Sequence, residues 1–458
     1  MKVCDCGTKE DKMSEKTVKN KTKKQFDYKW IIVATSFLMV MISLGFASST
    51  KTLFPDEIAK ELEVDRTLVV IYESVRYIAT AIINIFFGAL VAKFGPKKLI
   101  GAGYLSLVTA ILLFGFAKNL WMIYLGGMFL GIGFSWTSTT MVGYVIDIWC
   151  SENKGTIMGF VLASNGLGGA IAIKLVGDII DPTVTGSYRK AYFMIAAVLA
   201  VTFVILMIFF RSKPKGYVEG EVKRSKGKKR GQDWVGISLS DAMRKFYFWG
   251  AVVCVFFGGF VLQGTYGIVG MHMKDVGIDY DRVKALLSFG SLIMAGAKFL
   301  TGFLYDKFGL RVSATICMGC SIIATGLLIA VRGNDTGFVL AVIYSVVAQC
   351  AMPLETIMLP IYASDLFGKK SYAKILGLFS SVNVIGMATG GPMMNLCFDK
   401  CGSYVPALIA VGCVMSVVIV LLQIVISKAH KEQKRIIAEY EAQQLLMEEK
   451  SNVGSEQI

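Results

Sequence analysis

Five ionisable side chains stand inside stretches that are otherwise apolar: Lys51, Glu73, Arg76, Lys298 and Glu355. In hydrocarbon each costs several kcal/mol by insertion scales, so each calls for a function or a partner. A lysine ammonium in such surroundings pairs with a carboxylate as a point charge rather than a bidentate fork. Lys298 is therefore a candidate substrate contact, and the competing reading is a lysine that snorkels to an interface. Lys51, near the outer end of the first apolar segment, carries the same two readings. Glu73 and Arg76 share a helical face at i,i+3 and neutralise each other. A structural ion pair is the first expectation there, and a proton-coupling or gating pair the second. Glu355 follows Pro353 with no basic residue close in sequence. It is the leading candidate to take up and release a proton.

Other chemistry is thinly represented. The chain has two histidines, His272 and His430, and ten cysteines, most of them in apolar runs where they act as small hydrophobes. Cys4-x-Cys6 lacks a second ligand pair. With no nucleotide loop, metal cluster or nucleophile elbow, the expectation is no enzyme, no catalytic residues, no metal and no cofactor. Polar residues that could line a cavity are Gln263 and Tyr266, sharing a face at i,i+3, with Trp136 between Ser135 and Thr137, and Asn165 and Asn383. Helix–helix hydrogen bonding is the competing role for each. Gly127-x-x-x-Gly131 and Gly386-x-x-x-Gly390 read as packing surfaces.

The elements that must position these residues are transmembrane helices. Of 458 residues 54% are hydrophobic and only 18% charged, against about 25% charged in soluble proteins. Runs such as Trp30–Phe46, Leu99–Ala117, Ala191–Phe210 and Ala407–Ile426 are near the ~20 residues that cross a bilayer. The pattern predicts an all-α integral membrane protein of about twelve helices: 30–53, 67–92, 98–117, 121–148, 154–178 and 189–210, then 246–272, 282–306, 311–331, 336–363, 370–396 and 402–428. The expected organisation is a cytoplasmic tail (1–29), a six-helix half (30–210), a basic flexible linker (211–245), a second half (246–428) and a cytoplasmic tail (429–458), helical from Lys428 to about Met447. The net charge of +15 is a topology signal rather than a nucleic-acid one. Lysine and arginine collect in alternate loops, which places those loops and both termini in the cytoplasm. The Lys-rich linker is also placed to touch anionic lipid heads.

The two halves repeat. Gly88-Ala-Leu-Val-Ala92-Lys93-Phe94-Gly95 matches Gly302-Phe-Leu-Tyr-Asp306-Lys307-Phe308-Gly309 at an offset of 214. Ile157-Met-Gly159 with Asn165-x-x-Gly168 matches Ile375-Leu-Gly377 with Asn383-x-x-Gly386 at 218. Parallel six-helix repeats specify a carrier with its site near mid-membrane. Gly302-x-x-x-Asp306-Lys307-x-Gly309-x-Arg311 resembles the loop signature of the major facilitator superfamily, with Ala92 in place of the acidic residue in the first copy. In such loops Lys93, Asp306, Lys307 and Arg311 are gating candidates, able to pair with neighbouring helix ends in one state and release them in the other.

Within that superfamily the chain resembles monocarboxylate transporters and the oxalate–formate antiporter group. The likeness rests on Gly45-Phe46-Ala47 through Lys51, Trp149 with Lys154-Gly155 and Gly159, His272, Gly277, Lys298-x-x-x-Gly302, Leu366-Phe367-Gly368, Gly391-Pro392 and Asp399-x-x-Gly402-x-Tyr404. It implies that Lys51 helps capture an anion and that Lys298 stands where relatives bind carboxylate through arginine. The family's aspartate one turn before that residue is Met294 here, which departs from its proton-linked mechanism and leaves exchange, or coupling through Glu355, open. The eleventh helix offers no cation above Lys374, which counts against oxalate. The expected function is a plasma-membrane secondary carrier of small organic anions, mono- or dicarboxylates, by proton symport or exchange, acting as a monomer. The rivals are a proton-linked carrier of drugs, sugars or other neutral solutes, and a sensor that kept the carrier fold without turnover.

Overall fold

A computed structural model describes residues 28–150, 152–180, 184, 186–214 and 234–455. Cys4-x-Cys6, most of the basic N-terminal tail and Lys223–Arg230 lie outside the described residues. Among the described residues all regular structure is helical. The first half comprises α1 (Lys29–Ala47), α2 (Arg66–Ile85), α3 (Pro96–Gly115), α4 (Leu120–Thr137), α5 (Lys154–Ile179) and α6 (Tyr188–Phe209). The second comprises α7 (Phe246–Asp275), α8 (Tyr280–Phe308), α9 (Leu310–Ala330), α10 (Asp335–Ala351), α11 (Tyr372–Cys401) and α12 (Val405–Ser455). Among the described residues eleven helices are long and apolar enough to cross a membrane. The twelfth, α8, has 29 residues, and residues 286–303 within it are apolar or small apart from Lys298.

Packing follows the repeat helix for helix. α1 lies on α5 and α6 as α7 lies on α11 and α12; α2 and α3 lie on α4 as α8 and α9 lie on α10. The α2–α3 and α8–α9 turns also correspond. Gly95 (φ 76°) and Gly309 (φ 82°) occupy the left-handed region and redirect the chain in one residue. Asn119 and Asn334 start α4 and α10 by accepting from the backbone N–H of Met122 and Gly337 (3.0 and 2.7 Å), which satisfies donors a helix start leaves free.

Several spans differ from expectation. The first helix ends at Ala47, and Lys51 sits in a following 3₁₀ turn, Ser49–Leu53. Phe86 separates α2 from a continuation, Phe87–Phe94, and Ser138, in extended conformation, separates α4 from Thr139–Trp149. In α10 the break falls at Met352, where Pro353 supplies no N–H; short helices Pro353–Thr356 and Met358–Phe367 follow. α12 is one helix of 51 residues, running past the expected tail helix. The end of the linker, expected to be flexible, is fixed. Ile237 N–H donates to Phe367 O, and Lys369 and Lys370 N–H donate to Trp234 and Val235 O (3.1, 3.2 and 2.8 Å). The Trp234 indole donates to Asp365 O.

Candidate functional site

The halves meet along two seams, α5 on α8 and α2 on α11, with the continuation of α4, Thr139–Trp149, reaching Met358–Phe367 and α11. The seams are equivalent under the repeat. A Cβ on Gly159 would lie 2.6 Å from the carbonyl oxygen of Lys298, and one on Gly377 would lie 2.5 Å from that of Asn84. Gly159 and Gly377 correspond across the halves, as do Lys298 and Asn84. Polar links join the same surfaces: Thr140 Oγ1 donates to Ser380 Oγ, and Ser381 Oγ donates to Ala81 O, both at 2.8 Å.

One seam carries an added cap. The Asp306 carboxylate accepts from the N–H groups of Gly155 and Thr156 (3.0 and 2.7 Å) and from Thr156 Oγ1 (2.6 Å). It thus closes the positive end of α5. Ala92 occupies the matching place in the other seam. Neither α1 nor α7 packs extensively on the opposite half. The polar links between the halves gather toward the end that carries the start of α5 and the end of α8.

Between the halves the ionisable residues form one cluster with two characters. In the first half Glu73 Oε2 takes Lys51 at 3.1 Å and Arg76 at 2.6 Å, while Glu73 Oε1 is buried without a hydrogen bond. Lys51, read in the sequence as an outer anion contact or a snorkelling lysine, is thus drawn into the Glu73–Arg76 pair. In the second half Lys298 is only 3% exposed and makes no ion pair among the described residues. Its opposing charge at longer range is Glu355, whose Oε2 is buried and unbonded. Lys51 lies within electrostatic reach of Glu355 and Tyr266 of the other half.

The other predicted residues divide. Tyr266 stands beside Ser291 and Gln349 in the cluster, and Gln263 is half-buried one turn away on α7. Trp136 is stacked on Phe87 at 5.5 Å in the first half's core. Ser135 and Thr137 spend their hydroxyls on the Gly131 and Gly133 carbonyls of their own helix. Asn383 donates to Val255 O of α7 at 3.2 Å, a packing role, whereas Asn165 keeps a buried, unbonded Oδ1. Of the gating candidates only Asp306 bridges the halves. Lys93 and Lys307 lie over the rings of Phe94 and Phe308, and Arg311 donates to Ser427 within its own half. His272 is buried with Nε2 3.0 Å from Leu328 O. Among the described residues no three His, Cys, Asp or Glu side chains converge as a metal site.

Three participants were not singled out from sequence. Gln349, 4% exposed, lies in an apolar run with no spacing to mark it. Thr156 follows Lys154-Gly155 directly and is the partner of Asp306. Asp147 and Lys154 pair at 2.5 Å across the α4–α5 turn, a link that sequence separation alone does not disclose.

The sequence profile of the Major Facilitator Superfamily matches residues 35–391. The chain belongs to that superfamily. It is a multi-pass membrane protein with the family and fold of facilitator transporters. It is 24% identical over 294 residues to the uncharacterized MFS-type transporter YcxA of Bacillus subtilis (strain 168), covering 62% of this chain and 66% of that protein. It is 27% identical over 142 residues to the multidrug resistance protein MdtG of Enterobacter lignolyticus (strain SCF1), covering 31% and 32%. The chain thus spans just under two thirds of YcxA and about one third of MdtG. Among solved structures, the facilitator FucP in an outward conformation superposes with a TM-score of 0.65 at 15% identity, over 87% of this chain and 99% of that one.

Proposed function

We propose that this facilitator carries small organic anions, monocarboxylates above all, by alternating access. The observation that supports this reading is Lys298: a buried ammonium at the meeting of the halves with no ion-pair partner among the described residues. Such a charge is costly unless a bound counter-ion completes it. Across the cluster three cations, Lys51, Arg76 and Lys298, face two carboxylates, Glu73 and Glu355, and the surplus is positive. Glu73 is already engaged by two cations, which leaves Lys298 for the substrate and Glu355 for the proton. A substrate carboxylate beside Glu355 is tolerated best when Glu355 is neutral, and that preference couples anion entry to proton uptake.

The closed end carries the Lys- and Arg-rich loops, and we assign it to the cytoplasm of a plasma-membrane carrier. The described state then faces outward. Rocking of the halves about the cluster would part the glycine seams and release Asp306 from α5. The resemblance to monocarboxylate transporters agrees with this assignment, while the name of the MdtG relative keeps neutral or drug-like solutes as the competing class.

Reconstitution into liposomes with labelled lactate, pyruvate, formate and oxalate under imposed pH gradients tests the reading. Carboxylate uptake is expected to fall at least about tenfold in Lys298→Ala, the scale of one charge-assisted contact. Glu355→Gln is expected to retain exchange and lose its pH dependence. Uptake indifferent to Lys298→Ala, or transport confined to neutral solutes, removes the carboxylate site.

A further inference from the structure

The cluster holds more than charge. Gln349 and Lys298 are both more than nine-tenths buried, and Gln349 Oε1 has no hydrogen-bond partner. Gln349 Nε2 is held against α8, where a Cβ on Gly290 would meet it at 3.0 Å, and the Tyr266 hydroxyl lies beside the same amide. From the other half Asn165 Oδ1 is also buried and unbonded. Its neighbour Gly166 lies against Ser291 and Ala295 of α8, which puts Asn165 on α5 at the level between Gln349 and Lys298. Two buried amide oxygens, one from each half, are thus without donors, and Lys298 makes no ion pair among the described residues. Leaving buried acceptors empty costs about as much as the hydrogen bonds they forgo.

Spacing limits what can satisfy all three groups at once. Gly290, which marks the level of Gln349, precedes Lys298 by eight residues, about 12 Å of helical rise. A lysine side chain on a helix leans toward the N-terminus, which takes up about half of that separation. The remainder matches a ligand of about four to six carbons, longer than a two- or three-carbon acid. The donors must be hydroxyls rather than an ammonium, because Lys51, Arg76 and Lys298 would repel added positive charge.

We infer that the substrate is a hydroxylated carboxylate of four to six carbons, whose carboxylate meets Lys298 and whose distal hydroxyls donate to Gln349 and Asn165. Gln349 and Asn165 are then specificity-determining residues. This inference rests on the organic-anion reading above and narrows its chemical class.

Titration calorimetry on the purified full chain, with butyrate, 4-hydroxybutyrate, threonate, lactate, alanine and the neutral polyol erythritol, separates the two statements. Threonate and 4-hydroxybutyrate are expected to bind about tenfold or more tightly than butyrate, since a buried acceptor left unpaired penalises the analogue lacking the hydroxyl. That ratio is expected to collapse toward unity in Gln349→Leu and to shrink in Asn165→Leu. Each variant is first checked for monodisperse elution, and Gln349→Met serves if the leucine variant fails to fold. Equal binding of butyrate and its hydroxylated analogues, an unchanged ratio in the variants, or a preference for alanine overturns the inference. Carboxylate binding without hydroxyl preference overturns it while sparing the anion reading. Gln349-dependent binding of erythritol with no carboxylate binding has the opposite effect: the anion reading falls and the hydroxyl contact stands.

Discussion

Arg189 and Lys298 illustrate two ways of keeping a cation in a largely apolar protein. Arg189 is saturated: it donates to both carboxylate oxygens of Glu61, at 2.6 Å to Oε1, and to the Gly115 and Ala117 carbonyls. Lys298 has nothing of the kind: among the described residues it makes no ion pair, and its opposing charge at longer range is Glu355. The saturated pair has a pH signature. The hydrogen bond from Arg189 is the main cause that holds the Glu61 carboxyl below its ordinary value near 4.5, against desolvation and with help from Tyr188. A carboxylate depressed on folding contributes stability that is fully present above its unfolded value and is lost as pH falls through its folded value. Glu61→Gln is therefore expected to lower stability at neutral pH by about 1 kcal/mol and to flatten the decline below pH 4.5. Thermal unfolding in detergent at a series of pH values reads this directly; parallel acid limbs for variant and parent would count against the pair.

At the scale of elements the seams matter most. Gly159 and Gly377 let a carbonyl of the facing helix approach at a distance no side chain allows. An inserted leucine forces backbone apart at a cost of about 1–3 kcal/mol, borne only in the state where the seam is closed. Gly159→Leu and Gly377→Leu are both expected to shift the population toward opening at the terminal end by about tenfold or more. Accessibility of an introduced cysteine at Thr156 to a water-soluble maleimide measures the shift. Because Asp306 reinforces only the α5–α8 seam, the Gly377 variant is expected to open less readily there than the Gly159 variant; equal labelling of both and of the parent would refute the seam as a closure. These seams were half legible in sequence. Gly159 and Gly377 stood out as a matched pair across the repeat, and Asp306 as the acidic residue of the loop signature. The partner of that residue did not show, because Thr156 becomes an acceptor's target only when α8 is laid beside α5. The breaks at Phe86 and Ser138 were equally silent, since neither residue is a helix breaker by type.

For the whole molecule, twelve helices and two halves followed from apolar length, loop charge and an offset repeat, all of which are local or periodic quantities. What escaped was pairing at long range: Lys51 with Glu73, 22 positions apart, and Gln349 with the α7–α8 face. If transport requires the halves to rock, tying them at the closed end must stop it. Thr140 and Ser380, joined at 2.8 Å across the halves, offer the tie. In a background free of the other cysteines, Thr140→Cys with Ser380→Cys is expected to lose transport on mild oxidation and to regain it on reduction, with each single variant unaffected by oxidant. Transport that persists in the cross-linked protein would exclude rocking about this end. The correspondence of Lys298 with Asn84 bears on how such a machine diversifies. Both residues lend their backbone oxygen to a seam, yet one presents an amide and the other an ammonium. On the proposed reading, hinge and substrate contact share a position without sharing an atom: the main chain serves motion, and the side chain stays free to vary. A substitution at that position would then re-address the cargo and leave the seam intact.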